Sequence, residues 1–243
     1  AVSFLKAVYP NGPWVLTCIA PDKKAIQTVT FAAGEETQME NWIDQFNGAR
    51  NLYWTVNEVR EPVTSKPLKS DIAQAHMLHV DIDPALGRDI EEEKARALKM
   101  VNAGREGLPP PSFIIDSGGG IQAFWLLTEP LPLDGSAEAW GELERYNRHL
   151  EATYGGDHCF NVDRIMRLPG SINIPDKKKL EKGRTAALAT VIEFHADRRY
   201  LLTGGAFKQA ALVRAPADQE KGTRGATLNV GNIERLTDLT ELD

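Results

Sequence analysis

The 243-residue sequence predicts an α+β fold: an RRM-like (ferredoxin-like β-α-β-β-α-β) palm combined with an N-terminal α/β module. Two observations predict it. From Met77 onward, stretches of period-two alternation and stretches of helical periodicity follow one another in that order. Before Met77 a strand pair, an amphipathic helix and one further strand form their own run, closed by the Pro-broken polar stretch "REPVTSKPLKSD". The composition, 42% hydrophobic and 26% charged, is an ordinary globular balance and allows one large domain or two small ones.

In chain order, "PWVLTCIA" and "AIQTVTF" read as strands split by the turn-like "PDKK". Met39, Trp42, Ile43 and Phe46 then recur at helical spacing, with Thr37 and Glu40 as a capping-box signal. Asn51–Val59 alternates like a strand. In "HMLHVDIDP" (His76–Pro84), Leu78, Val80 and Ile82 alternate with His79, Asp81 and Asp83. After Pro84 a helix is expected, capped by Asp89 with Glu92 three residues on, its face formed by Ile90, Ala97, Leu98 and Val101. "SFIID" (112–116) and "IQAFWLL" (121–127) flank Ser117-Gly118-Gly119-Gly120 and predict a hairpin. A third helix over 136–153 carries Trp140, Leu143 and Leu150. A short strand at Val162–Leu168 closes the palm, and Ala186–Phe194 adds another strand. The expected division is 1–70 for the N-terminal module, 71–205 for the palm and 206–243 for a linker or peripheral tail.

The two aspartates of "HVDIDP" project from one strand face, roughly 7 Å apart at ~3.3 Å per residue. Carboxylates that close repel, which raises a pKa or calls for a counter-charge. Asp oxygens suit Mg²⁺ or Mn²⁺; a solvated strand end closed by Pro84 is the plain alternative. Two further features can converge with the pair. A Gly-rich turn at Ser117, Gly118 and Gly119, followed by Gln122, offers backbone N–H groups to phosphate. Asp163 and Arg164, followed by Arg167-Leu168-Pro169-Gly170 and Asn173, offer an acid and guanidinium forks.

The net charge is −6, yet the segment from Arg164 to Lys208 is +6 and the remainder −12. A basic segment inside an acidic chain is a local footprint for a polyanion. No run approaches the ~18 apolar residues of a membrane span, and no signal-peptide pattern is present. The start, "AVSFLKAVYP", lacks an initiator Met, as processing or a longer parent chain would leave it. Cys18 and Cys159 lack C-x-x-C spacing, so neither a zinc site nor a disulfide framework is expected, which fits a reducing cytosol.

"HVDIDP", "DSGGGIQAFWLL" and "VDRIMRLPGSINIPDKKKLEKGR" together resemble the three motifs of archaeo-eukaryotic-type primases, nearest to the primase–polymerases of phages and plasmids, including RepB-like replication primases. The resemblance covers about Asn51 to Phe194. It implies a DNA primase/polymerase performing template-directed, two-metal nucleotidyl transfer, with Asp81, Asp83 and Asp163 as catalytic metal ligands for Mg²⁺ or Mn²⁺. The second motif of that family carries a His on the nucleotide's phosphates; here the position is Gln122, which can donate a hydrogen bond but carries no charge. Ser117, Gly118, Gly119, Arg164, Arg167 and Asn173 are then expected on the nucleotide. Lys177, Lys178, Lys179, Lys182 and Arg184 are expected on the template.

The implied partners are single-stranded DNA template and primer and an NTP or dNTP, in the cytoplasm of a bacterial or phage-infected cell. The sequence has no G-x-x-x-x-G-K-[ST] loop, so any helicase motor would lie C-terminal to this chain or on another protein. Two other readings compete: a D-x-D glycosyltransferase, disfavoured by the R-x-x-R-L-P-G stretch and the element order, and a replication-initiator module that only binds DNA.

Overall fold

The computed structural model describes residues 1–202 other than Leu86, Glu106 and Lys182, together with Phe207. A short helix that no periodicity signals, α1 (Val2–Val8), opens the chain and buries Phe4, Leu5 and Val8. β1 (Trp14–Ile19) and β2 (Ile26–Phe31) form the expected antiparallel pair. α2 (Glu36–Phe46) buries Met39, Ile43 and Phe46, as their spacing predicts. Its N-cap is Glu35 with no side-chain cap, so the Thr37–Glu40 pair falls inside the helix rather than at its start.

β3 (Asn51–Thr55) pairs with β1, and the two-residue β4 (Glu58–Val59) leads toward β5 (Ile72–Ile82), the strand that ends in the D-x-D motif. α3 (Ile90–Ala103) begins where Asp89 accepts the Glu92 amide at 3.0 Å. β6 (Phe113–Asp116) and β7 (Ile121–Pro132) make the predicted hairpin. α4 (Ala137–Tyr154) is capped by the Ser136 side chain and ends on Gly155 in the left-handed region, φ 68°.

β8 (Ile165–Arg167), β9 (Ile172–Asn173), α5 (Lys177–Glu181), β10 (Ala187–Leu188), β11 (Thr190–Phe194) and β12 (Arg199–Tyr200) follow. The strand expected over 186–194 is thus two, separated at Ala189. Of the stretch 206–243 only Phe207 is among the described residues, and it packs against Trp125 and Tyr200.

Two large sheets and a two-stranded β9–β10 pair organise these elements among the described residues. The palm sheet runs β11-β6-β7-β5-β4, with β12 also on β7; the N-terminal sheet runs β2-β1-β3-β8. The α+β class and the pairing of a palm with an N-terminal module stand, but one strand is exchanged between them. The element order places Val162–Leu168 in the palm; β8 instead joins the N-terminal sheet, Tyr53 opposite Arg167 and Trp54 opposite Met166. The position beside β5 is already taken. β4 pairs with the start of β5, and further along Asn147 accepts the His79 amide at 3.1 Å while the Asp157 amide donates to the Asp81 carbonyl at 2.8 Å. A buried strand edge needs such partners.

β5 is buried on both sides. Leu78, Val80 and Ile82 share a core with Ala97, Leu143 and Leu150 of the helices. Met77 joins Trp54, Phe113, Phe124, Met166 and Leu168 in a second core between the sheets. Fully burying each such side chain stabilises by roughly 1.5–3 kcal/mol, so this shared core joins the two modules. The face of β5 that carries His79 and Asp81 therefore looks into protein. Among the described residues no helix is long and apolar enough to cross a membrane.

Candidate active site

The acids meet where β5 ends. Asp81 lies directly across the ladder from Gln122 of β7, and Asp83 follows one residue beyond the strand. A third carboxylate, Asp157, arrives on the loop after α4. Gly156 allows that approach: a Cβ there would stand 2.5 Å from Val80 Cγ2 and 2.7 Å from the Asp81 carbonyl oxygen. All three acids line one polar cleft.

Burial pushes the Asp81 carboxyl up to about 7, with the Asp83 charge raising it further and the Arg164 charge opposing. Asp157 is raised to about 6 by burial and by the charge of Asp83, with which it shares a hydrogen bond. Asp81 Oδ2 accepts from Gln122 Nε2 at 3.2 Å and has the Cys159 thiol at 4.0 Å. Asp81 Oδ1 and Gln122 Oε1 are buried without a hydrogen-bond partner among the described residues. Among the described residues no three ligating groups stand at metal-ligand spacing. The donor set nevertheless fits a hard divalent cation: three carboxylates, two orphaned oxygens, and repulsion that a cation would relieve.

The opposite wall is cationic and is set by the N-terminal sheet. Arg167 on β8 lies over the Tyr53 ring at 4.3 Å. It donates to Asn51 Oδ1 at 2.8 Å, to the Tyr53 hydroxyl at 3.1 Å and to Asn173 Oδ1 at 3.0 Å. Asn51 also brackets Ile174, accepting from its amide and donating to its carbonyl. Asn173 in turn donates to the Ser117 carbonyl at 2.9 Å, and Lys179 of α5 completes the wall.

Of the residues expected from the sequence, the fold brings together in this cleft Asp81, Asp83, Ser117, Gly119, Gln122, Arg167, Asn173 and Lys179. Among the described residues, the other expected ones do not line it. Asp163 does not line the cleft; it is buried and pairs with Lys66 at 4.0 Å, and Asp157 stands in the position expected of it. Arg164 is 1% exposed and sits behind the acids, donating to Cys159 Sγ at 2.6 Å. It is an interior counter-charge rather than part of the cleft wall. The same setting explains two neighbours: burial raises the Cys159 thiol and lowers His79 to about 4.

The glycine turn does not offer its amides to the cleft. The Gly118 amide donates to Asp116 Oδ1 at 2.7 Å, and those of Gly119 and Gly120 donate to Ser117 Oγ at 3.2 and 2.9 Å. Gly118 itself borders a separate cleft. Gln122 donates to Asp81, so its amide hydrogen bond goes to an acid of the site. Lys177 and Lys178 point outward as exposed residues, and Arg184 donates to the Gly119 carbonyl at 3.2 Å. Lys182 lies outside the described residues.

Sequence reasoning missed Asp157 and Tyr53. Asp157 had a signal: a Gly-Gly pair directly after a helix, followed by an acid. Tyr53 had one as well, since it shares the alternating polar face of β3 with Asn51.

The fold is similar to that of primase domains of known structure. Among solved structures the chain is similar to the AEP domain of the Cyanophage S-2L Primase-Polymerase, with a TM-score of 0.56 and 20% identity over 87% of this chain and 95% of that one. It is also similar to the primase RepB′, with a TM-score of 0.54 and 17% identity over 98% of this chain and 67% of that one. A further structure, the catalytic domain of primase RepB′ in complex with initiator DNA, gives a TM-score of 0.51 at 15% identity over 89% of this chain and 94% of that one. By sequence, the chain is 26% identical over 132 residues to a replication protein of Clostridium perfringens, 52% of this chain and 30% of that protein, so it spans about 30% of that relative's length. No family model matches the chain.

Proposed function

We propose that this chain is the catalytic domain of a DNA primase–polymerase of phage or plasmid replication, acting by template-directed nucleotidyl transfer. One observation carries the reading: three carboxylates from two elements face Arg167, Asn173 and Lys179 across one cleft, in a fold shared with primase domains. Asp81, Asp83 and Asp157 would hold Mg²⁺ or Mn²⁺ in a two-ion site. When bound, such ions polarise the attacking hydroxyl and neutralise phosphate charge.

The chain's own residues supply the rest. Arg167 keeps donors beyond those bound to Asn51, Tyr53 and Asn173, and its fixed fork suits triphosphate oxygens. Lys179 adds a second positive charge on the same wall. Gln122 holds Asp81 from within the cleft and Cys159 from behind it, and Arg164 limits the repulsion among the acids. The solved RepB′ complex holds initiator DNA; here, the exposed Lys177 and Lys178 and the rest of the basic segment would follow a single-stranded template. In this reading 1–70 and 71–205 act as module and palm, with β8 contributed by the palm segment to the module's sheet. A helicase partner and a cytoplasmic location belong to the same proposal.

The test is incorporation of labelled NTPs and dNTPs on single-stranded and primed DNA, with Mn²⁺ or Mg²⁺. Template-dependent product is expected, and Asp81→Asn or Asp83→Asn should abolish it while leaving the fold intact. Either variant extending a primer at near the parent rate would sink the assignment.

A further inference from the structure

We propose that the second cleft, on the far side of the glycine turn from the acids, is a subsite for a polyphosphate group. Its volume is about 390 Å³, within the range of small-molecule sites. One backbone thickness separates it from the active cleft: Gly119 lines the first and Gly118 the second. Gly118 has φ +78°, and a Cβ there would meet Ala187 and Asn173 at 3.1–3.2 Å, so the partition has no room for a side chain.

The lining chemistry selects the ligand class. Arg88 comes from the loop after the D-x-D strand, Lys94 from α3, and Arg184 from the connection between α5 and β10. Two carboxylates, Asp89 and Glu91, line the cleft as well, but both are engaged. Asp89 caps the Glu92 amide at 3.0 Å, and Glu91 accepts from Lys94 at 2.9 Å. Lys94 also bonds Asp116 at 3.0 Å, so its role is to hold the turn.

The two guanidinium groups are placed differently. Arg184 gives one hydrogen bond to the Gly119 carbonyl and keeps the remaining donors of its fork. Arg88 is exposed, and although its charge helps to lower the neighbouring Glu93 carboxyl, that carboxylate is held by Arg96 at 2.9 Å. Two guanidinium forks and the Thr185 hydroxyl suit phosphate oxygens. Among the described residues no aromatic side chain lines the cleft, so they offer no stacking surface for a base.

The source of the polyphosphate rests on the nucleotidyl-transfer reading. It is either the triphosphate of the incoming nucleotide, reaching past the turn, or the triphosphate on the first nucleotide of a new primer.

The first experiment needs no catalysis. Inorganic tripolyphosphate is titrated calorimetrically into the parent chain, Arg88→Glu and Arg88→Lys, at low salt and without divalent metal. Arg88→Glu should weaken binding by about tenfold to a hundredfold, the range of a lost charge-assisted bond. Arg88→Lys should keep most of the affinity, and an unchanged melting temperature shows that the fold is intact. No binding by the parent, or equal affinity in Arg88→Glu, overturns the subsite. If the parent binds through Arg88 yet incorporates no nucleotide on any template, the subsite stands and the proposed function fails.

The second experiment assigns the source. A raised KM for the incoming nucleotide during extension of a 5′-hydroxyl primer identifies the incoming triphosphate. Normal extension with impaired dinucleotide synthesis identifies the primer's first nucleotide. If Arg88→Glu alters neither in an active enzyme, the polyphosphate role is overturned.

Discussion

The amide of Asp157 donates to the carbonyl of Asp81 at 2.8 Å, so the loop after α4 is stitched to the edge of the strand that carries the acid pair. With β4 and Asn147 this bond covers the free edge of β5, and it brings the third carboxylate to the other two. The position a further palm strand would occupy is filled by the loop that completes the site.

Gly156 should therefore be intolerant of a side chain. A Cβ would press on Val80 Cγ2 and on the Asp81 carbonyl oxygen, and backbone cannot yield as a side-chain tip can. Gly156→Ala should lose about 1–3 kcal/mol of stability, as overpacking does. It should lose incorporation by more than that destabilisation explains, because the loop would carry Asp157 away. Thermal melts and single-turnover incorporation at a temperature where the variant is folded check both.

Asp157 and Asp163 should behave differently on substitution. Asp157→Asn removes a carboxylate from the cleft and should abolish incorporation and weaken Mn²⁺ binding. Asp163→Asn disturbs a buried acid paired with Lys66, so its main effect should be on stability. Mn²⁺ titration followed by electron paramagnetic resonance separates them. Weakened Mn²⁺ binding in folded Asp163→Asn, with normal binding in Asp157→Asn, would reverse the assignment.

Much of this was legible. The acid pair stood out because a strand with apolar neighbours carried two carboxylates on one side, and the hairpin and capped α3 followed from turn and cap residues. Arg164 and Arg167 could have been told apart: residues three apart on an extended segment face opposite ways, and only Arg167 reaches the cleft. Asp116 and Ser117 beside the glycines were also a warning that the turn's amides had local acceptors. The exchange of β8 between sheets was not legible, since alternation shows that a segment is a strand and says nothing of which edge receives it. Asp157 depended on the same missing information, because only the docking of its loop on β5 brings it into the cleft.

The buried acids should leave a mark on stability against pH. Asp81 ordinarily titrates at 3.8 and in the fold at about 7. Between those values the folded chain holds a proton that the unfolded chain has released, so this group's contribution to stability falls as pH rises through the window. His79 works in the opposite sense: lowered from 6.5 to about 4, it stays neutral in the fold while the unfolded chain takes up a proton, and stability is lost as pH falls through that range. The two partly offset in the parent. Asp81→Asn should remove the first and leave the second. Metal-free urea titrations from pH 4 to 8 should show the variant gaining on the parent as pH rises. A constant difference across that range would mean that Asp81 is not raised.

The lysines of α5 should divide between two tasks. Lys179 lines the cleft, whereas Lys177 and Lys178 are exposed on the adjoining surface. Lys179→Ala should raise the KM for the nucleotide and change DNA affinity little. Lys177→Ala with Lys178→Ala should do the reverse. For single strands, log affinity falls with log salt at about −0.7 per phosphate neutralised, so loss of two contacts should flatten the slope by about 1.4. Fluorescence anisotropy of a labelled single strand at several salt concentrations gives this slope, and steady-state kinetics gives the KM. The net charge of −6 keeps overall affinity modest, because most of the surface repels DNA. If the double variant keeps the parent slope, these two lysines are solvated and the template follows another surface. If Lys179→Ala flattens the slope without moving the KM, the nucleotide and template walls have been interchanged.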